Sequence, residues 1–316
     1  MLKITGLIFF CLSSISLAAE KYAPITVDMP MKQVGPHSYY VQGVAGIATD
    51  NEGFISNAGF VVTKTGVVVF DSLGTPSLAW ALRQKIKSVT DLPVVKVVVS
   101  HYHADHIYGL QVFQDEGAEI IAPQGVYEYL DSEAAPSRLE ERQFSLDPWV
   151  NENTRLVRPD RILDGSMRFT EGGLDFELTY LGSAHSDGDM TMFVVQDSVL
   201  YSGDIIFQHR VPFVGDADSR QWLKTLEGLE TGELKALVPG HGPAAEDPKA
   251  AISLTRNYLA ALRSVFSSAI EELIDFDTAF SEADWSAFEK LPAYEAGHRR
   301  NAYQVFLSME AESLVE

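Results

Sequence analysis

The hexapeptide at residues 101–106 (HYHADH) constrains this chain more than any other stretch. It sits directly behind the apolar run at 94–99 (VVKVVV). A run of that length and β-branched content reads as a buried parallel strand. Four side chains able to hold a metal, His101, His103, Asp105 and His106, therefore occupy the loop leaving a strand's C-terminal end. Open α/β sheets build their sites at that place. The chain has 8 histidines and three of them fall in these six residues, which separates the stretch from an ordinary polar turn. Imidazole and carboxylate together suit zinc, and iron or manganese less exclusively.

A closed site needs ligands from elsewhere, and three candidates follow in strand-end contexts. His185 lies in GSAHSDGD (182–189), behind the strand-like 174–181 (LDFELTYL). Asp204 follows 198–202 (SVLYS) and Gly203, and His241 lies in PGHG (239–242) behind 236–238 (ALV). Glycine nearby lets the backbone turn sharply and approach a cation closely. Taken singly, each is an ordinary loop or capping residue. Taken in order, they form a set.

That order resembles the metallo-β-lactamase superfamily, over about residues 36–245. Within it, Asp204 looks like the bridging carboxylate of the glyoxalase II and ribonuclease Z type, where zinc β-lactamases most often carry Cys or Ser. A narrower likeness runs through 57–71 (NAGFVVTKTGVVVFD), 210–213 (RVPF), 299–303 (RRNAY) and Glu310. These resemble the exported quinoprotein relay system zinc metallohydrolases, whose substrate is poorly defined. The resemblance implies an α/β fold, a four-layer αββα sandwich, with residues 246–316 as a helical extension packed on it. It implies that His101, His103 and His185 hold one metal, that Asp105, His106 and His241 hold a second, and that Asp204 bridges them. The implied cofactor is two zinc ions, with iron or manganese as substitutes.

So few protein ligands per metal leave open coordination positions, as catalysis requires. A water shared by two cations about 3.5–4 Å apart loses a proton readily, so no separate general base is needed. A metal-bridging hydroxide is the expected nucleophile, with Asp105 and Asp204 as the carboxylates that hold it in place. The expected reaction is hydrolysis of a small ester, thioester, lactone or β-lactam-like amide. Two other readings stand beside it. One is a mononuclear iron oxidoreductase of the persulfide dioxygenase kind, with the second site empty. The other is a non-catalytic accessory protein that binds metal or a quinone.

The formal charge of −20 argues against nucleic acid as a partner, because phosphate backbones want Lys/Arg patches. It also repels polyanionic lipid surfaces. A small-molecule substrate is the expected partner, and oligomeric state leaves no mark in the sequence. The N-terminus reads as a cleaved signal peptide over residues 1–19: Lys3, an apolar core at 4–17, and small residues before Glu20. That implies a periplasmic or secreted protein without stable membrane insertion. Cys11 is the only cysteine and lies inside this segment, which excludes a thiolate ligand or thiol nucleophile from the remainder.

Strand signals at 37–47, 54–63 and 66–71 precede a helix at 76–89, the strand at 94–99, a helix at 107–115 and a strand at 118–122. Residues 124–144 read as helical with Pro136 as an interruption. A second half is expected to begin near Arg161, with strands at 161–164, 166–170, 174–181, 190–196, 198–202 and 236–238. A helix at 219–229, with Ser219 as a possible cap, and helices at 248–273, 282–289 and 293–312 complete the pattern. Several polar residues admit two roles. Asp71 either orients the ligand loop or caps a turn. Asp189 either bonds backbone around His185 or stabilises its own turn. Tyr102 and Tyr108 either line a pocket or pack in the core. Arg210, beside His209, either forms a surface ion pair or binds a substrate carboxylate. His298, Arg299 and Arg300 either form a solvated helix face or reach the lip of the site. His37 reads as structural.

Overall fold

The computed structural model describes residues 21–215, 217–229 and 234–314. The expected signal peptide lies outside the described residues. Two twisted sheets stack face to face, each carrying helices on its outer side. The first sheet runs in chain order through β1 (Met31–Gln33), β2 (Ser38–Val41), β3 (Ala58–Val62), β4 (Val67–Phe70), β5 (Val94–Val98), β6 (Glu119–Pro123) and β7 (Arg161–Leu163). Strands β1 to β4 form an antiparallel meander, and β4 to β7 are parallel. The second sheet comprises β8 (Met167–Glu171), β9 (Leu174–Gly182), β10 (Asp189–Val194), β11 (Val199–Phe207) and β12 (Ala236–His241). Its strands are antiparallel except for the parallel β11–β12 pair.

The parallel strands demand crossover helices, and these cover the first sheet. Helix α1 (Pro76–Val89) starts where Thr75 accepts a hydrogen bond from Leu78 N and Pro76 supplies a first-turn residue with no N–H to satisfy. Its Leu78, Leu82 and Ile86 lie on one face and are fully buried against the sheet. Helices α2 (Ala104–Ile107), α3 (Leu110–Asp115), α4 (Val126–Leu130) and α5 (Ala134–Ser145) follow on the same side. Between the sheets lies a second apolar layer, in which Phe70 and Tyr201 meet with ring centroids 5.7 Å apart. The Tyr201 hydroxyl donates to Tyr39 O across that gap. The third layer joins β11 and β12 to α6 (Ser219–Gly228), α7 (Pro248–Glu271), α8 (Phe276–Glu282) and α9 (Tyr294–Ser313). None of the described helices is long and apolar enough to cross a membrane.

Several expected elements differ. Residues 161–163 pair with β6 and close the first sheet, so the second half starts at β8. The 107–115 helix is two short pieces, α2 and α3, separated by Tyr108 and Gly109. Pro136 does not interrupt α5, because it lies in the first turn, where no intrahelical donor is lost. Helix α6 is capped by Asp218 rather than Ser219, through a bond from Gln221 N. The expected helix at 282–289 is displaced to α8, since Asp275 caps it by accepting from Thr278 N.

Candidate metal centre

The C-terminal ends of the central strands meet at one edge of the sandwich, and all seven expected ligands converge there. His101 and His103 lie on the loop after β5, and Asp105 and His106 on the α2 turn that follows. His185 lies between β9 and β10, and His241 is the last residue of β12. Asp204 differs from expectation: β11 does not stop at residue 202 but continues through Asp204 to Phe207. The pairing shifts register between Tyr201 and Gly203, where Gly203 adopts a φ of 54°. Such a bulge re-aims the next side chain, here Asp204. The PGHG turn is equally dictated: a Cβ on Gly240 would lie 1.9 Å from Asp204 Oδ1. Gly240→Ala is therefore expected to displace the Asp204 carboxylate and to lower metal affinity by at least about tenfold, measured by chelator competition. Unchanged affinity would mean that the turn yields without moving Asp204.

His103 Nδ1 lies 3.0 Å from His101 Nε2 and 3.1 Å from His185 Nε2. Asp204 Oδ2 lies 3.4 Å from His185 Nε2 and 3.2 Å from His241 Nε2, while its Oδ1 lies 3.2 Å from His106 Nε2. Asp105 Oδ2 lies 3.3 Å from His241 Nε2 and 3.5 Å from His106 Nε2. Three triads, His101–His103–His185, His101–His106–Asp204 and Asp105–His106–His241, each bring ligand atoms within 4.8 Å of one another. Ligands about 2.0–2.1 Å from a tetrahedral zinc stand about 3.3 Å apart, so these spacings fit a shared cation.

The hydrogen bonds around the cluster point the same way. His106 Nδ1 lies 2.9 Å from Asp71 Oδ2, and His241 Nδ1 lies 2.7 Å from Ile55 O. Each Nδ1 is placed to donate outward to these acceptors, which turns Nε2 toward the centre, where a bound cation would meet its lone pair. His101 Nδ1 lies 2.9 Å from Ser100 Oγ, which donates to Asp71 Oδ2 at 2.8 Å. Asp71 Oδ1 also accepts from Ser100 N. Asp71 thus orients the ligand loop, and it does so from a left-handed backbone at φ 61°. His106 Nε2 and Asp204 Oδ1 are buried with no hydrogen-bond partner. Leaving such atoms unsatisfied costs about 1–3 kcal/mol each, more for charged groups, which a bound cation removes.

Electrostatics divide the cluster. Burial pushes His101, His103 and His185 below the ordinary imidazole range, His185 to about 3, so their lone pairs are free at neutral pH. Burial also acts on His106 and His241, but Asp204 leads the neighbouring carboxylates that raise both above that range. The same two imidazoles hold Asp204 well below the usual carboxylate range against its burial. Asp189, pushed up to about 7 by burial, accepts from Ala184 N and Ser186 N and so fixes the backbone on either side of His185.

The remaining polar residues fall unevenly. Tyr102 packs in the core, its hydroxyl donating to Val157 O, while one face borders a cavity. Tyr108 is buried beside Tyr129. His37 pairs with buried Asp197 at 2.8 Å. Arg210 is not a surface ion pair: it is 9% exposed, with Nη1 3.3 Å from His241 Nδ1. His298 is not on a solvated face: at 1% exposure it stacks on Tyr294 and bonds Tyr258. Arg299 pairs with Asp277, and Arg300 lies over the Phe213 ring. Sequence reasoning missed the Ile55 carbonyl, which carries no side-chain signal, and Ser100, which sits beside the hexapeptide. A cavity of about 510 Å³ opens beside His103 and His185, walled by Tyr129, Arg138, Glu141 and Asp187 among others.

Comparison with known proteins agrees with this geometry. The chain is 26% identical over 229 residues to metallo-beta-lactamase IND-1 of Chryseobacterium indologenes, a match covering 71% of this chain and 85% of that protein. It is 21% identical over 207 residues to a type 2 metallo-beta-lactamase of Bacillus cereus, covering 64% of this chain and 71% of that one. Among solved structures, a metallo-beta-lactamase from Pontibacter korlensis superposes with a TM-score of 0.57 at 20% identity, covering 74% of this chain and 99% of that chain. The inverting sec-alkylsulfatase Pisa1 from Pseudomonas sp. superposes with a TM-score of 0.68 at 19% identity, covering 89% of this chain and 50% of that one. The family description "Metallo-beta-lactamase superfamily" matches residues 51–241. With a match over more than half its length, and seven ligand-type side chains gathered at the matched strand ends, the chain belongs to the metallo-beta-lactamase superfamily.

Proposed function

We propose that this member of the superfamily, a metal-dependent hydrolase, works as an exported dinuclear zinc enzyme on a small ester, thioester, lactone or β-lactam-like amide. The observation that carries this reading is the complete pair of ligand sets: three imidazoles on one side, Asp105, His106 and His241 on the other, and Asp204 within 3.4 Å of members of both. Two cations bound there would supply an activated water and polarise the substrate oxygen. The chain's own residues do the rest. Asp71 and Ile55 O fix which imidazole nitrogens face inward. The only cysteine, Cys11, falls in the expected signal peptide, so the scheme has no cysteine nucleophile.

Charge orders the substrate. Arg210 is a nearly buried guanidinium beside His241 that has no carboxylate partner within salt-bridge distance among the described residues. It suits an anionic group on the substrate. The cavity beside His103 carries Glu128, Glu141 and Asp187 against Arg138 alone, and Arg138 already pairs with Glu141. That side suits a neutral or cationic group and rejects polyanions. Arg210→Ala is expected to raise KM for carboxylate-bearing substrates by about 10–100-fold, the worth of one charged hydrogen bond, with little change for neutral esters. An equal rise for both classes would remove Arg210 from substrate recognition.

Asp71→Ala is expected to lower zinc affinity by about 10–100-fold, because two ligand rings lose their orientation. Chelator competition measures it, and an unchanged constant would make Asp71 a mere turn residue. A second reading is hydrolysis of an alkyl sulfate ester. It is favoured by the alkylsulfatase likeness, which covers 89% of this chain where the Pontibacter lactamase covers 74%. A panel of aryl esters, thioesters, lactones, a cephalosporin and a secondary alkyl sulfate, assayed with zinc-loaded protein, decides between them. Turnover of acyl substrates supports the first reading, sulfate release alone supports the second, and no turnover of any overturns both.

A further inference from the structure

We propose that the C-terminal helix α9 sets the entrance to the metal centre, with Asn301 holding Phe213 at the rim so that its ring packs against an apolar group of the substrate. This rests on the hydrolase reading above and adds the residue that selects for the substrate's apolar part.

Phe213 is 38% exposed, yet its ring centroid lies 6.5 Å from that of His103, edge to face at 79°. An exposed aromatic ring beside a polar cluster is held out of the core by something, and the loop's backbone shows what. Asn301, fully buried on α9, accepts from Val214 N at 3.0 Å and donates to Pro212 O at 2.6 Å. The two bonds flank Phe213 on either side. The same Nδ2 lies 3.0 Å from the Tyr258 hydroxyl, which in turn lies 3.0 Å from His298 Nδ1. Val211 N donates to Pro292 O just before α9 begins. The loop between β11 and α6 is therefore tied to the C-terminal helices at 211, 212 and 214. Arg300, one residue before Asn301, places its guanidinium 5.7 Å from the Phe213 ring centroid. Arg300 thereby engages the ring on one side, while its exposed part remains for a ligand. Asn301 touches none of the seven ligand side chains, so it acts on position and not on the chemistry.

The test uses zinc-loaded full chain and two thiol probes, mercaptoacetate and 2-mercapto-3-phenylpropanoate, followed by calorimetric titration. The phenyl compound is expected to bind the unaltered chain about three- to tenfold more tightly, the worth of one aromatic pair. Phe213→Ala should erase that preference and leave mercaptoacetate binding unchanged. Asn301→Ala should erase it too at unchanged zinc content. In metal-free Asn301→Ala, amide exchange at Val211, Phe213 and Val214 should rise about tenfold or more, while β5 and β11 keep their protection. A preference that survives Phe213→Ala, or unaltered exchange at Val211, Phe213 and Val214 in Asn301→Ala, overturns the proposal. If Asn301→Ala does not fold, Phe213→Ala at its exposed position still decides. Zinc bound without any preference sinks this proposal alone. No zinc bound sinks the hydrolase reading and this proposal with it.

Discussion

Replacing Asp204 with alanine is expected to lower kcat/KM by about a hundred- to a thousandfold, the scale on which one preorganised electrostatic element is lost. Asp204 Oδ1 lies 3.2 Å from His106 Nε2, and its Oδ2 lies 3.4 Å from His185 Nε2 and 3.2 Å from His241 Nε2. Its carboxylate is thus shared by both ligand sets, whereas Asp105 reaches only His106 and His241. Without it, two cations held by these sets would lose the one protein carboxylate that reaches both. The metal-free protein also suffers, because Asp204 leads the carboxylates that offset the burial of His106 and His241 and raise both imidazoles above their ordinary range. Asp204→Asn keeps the shape and loses the charge, so it should resemble the alanine variant in activity while folding more readily. Steady-state rates paired with metal analysis check both. A variant that keeps two metals and more than about a tenth of the activity would remove Asp204 from its bridging role.

Stripping the metals is expected to lower the melting temperature by about 10 °C and to abolish turnover. A ligand present at about a thousand times its Kd stabilises the native state by about 4 kcal/mol, and a domain of this size shifts by about 2–4 °C per kcal/mol. The physical cause lies in the centre itself. Buried imidazoles and carboxylates crowd within 3.0–3.5 Å of one another, and His106 Nε2 and Asp204 Oδ1 lack any hydrogen-bond partner. Adding zinc should restore both stability and rate. Scanning calorimetry with and without chelator measures the shift. An identical melting temperature in both states would show that the cluster binds no metal with useful affinity.

Much of this site was legible because its information is local. The hexapeptide at 101–106 follows its strand by one residue, and His241 sits between two glycines. Asp204 was found for the right neighbours but with the wrong strand end, since a bulge at Gly203 lets β11 continue where a turn was expected. Asp71 remained undecided, because its partners His106 and Ser100 lie 35 and 29 residues away. Arg210 and His298 read as surface residues, as polar side chains usually are. Their burial comes from packing that no local window contains: His241 beside Arg210, and Tyr258, Trp285 and Tyr294 around His298. Asn301 carries no role in the sequence for the same reason, its loop partners being 87 and 89 residues distant. Strand β7 was assigned to the wrong half because three residues carry no mark of which sheet they join.

Anomalous diffraction from crystals of protein purified without added metal tests the dinuclear centre most directly. Two zinc peaks are expected, one among His101, His103 and His185 and one among Asp105, His106 and His241, with Asp204 between them. A single iron peak at the three-histidine position would point to an oxidoreductase, and an empty cluster to an accessory protein. Either result would contradict the two-metal hydrolase.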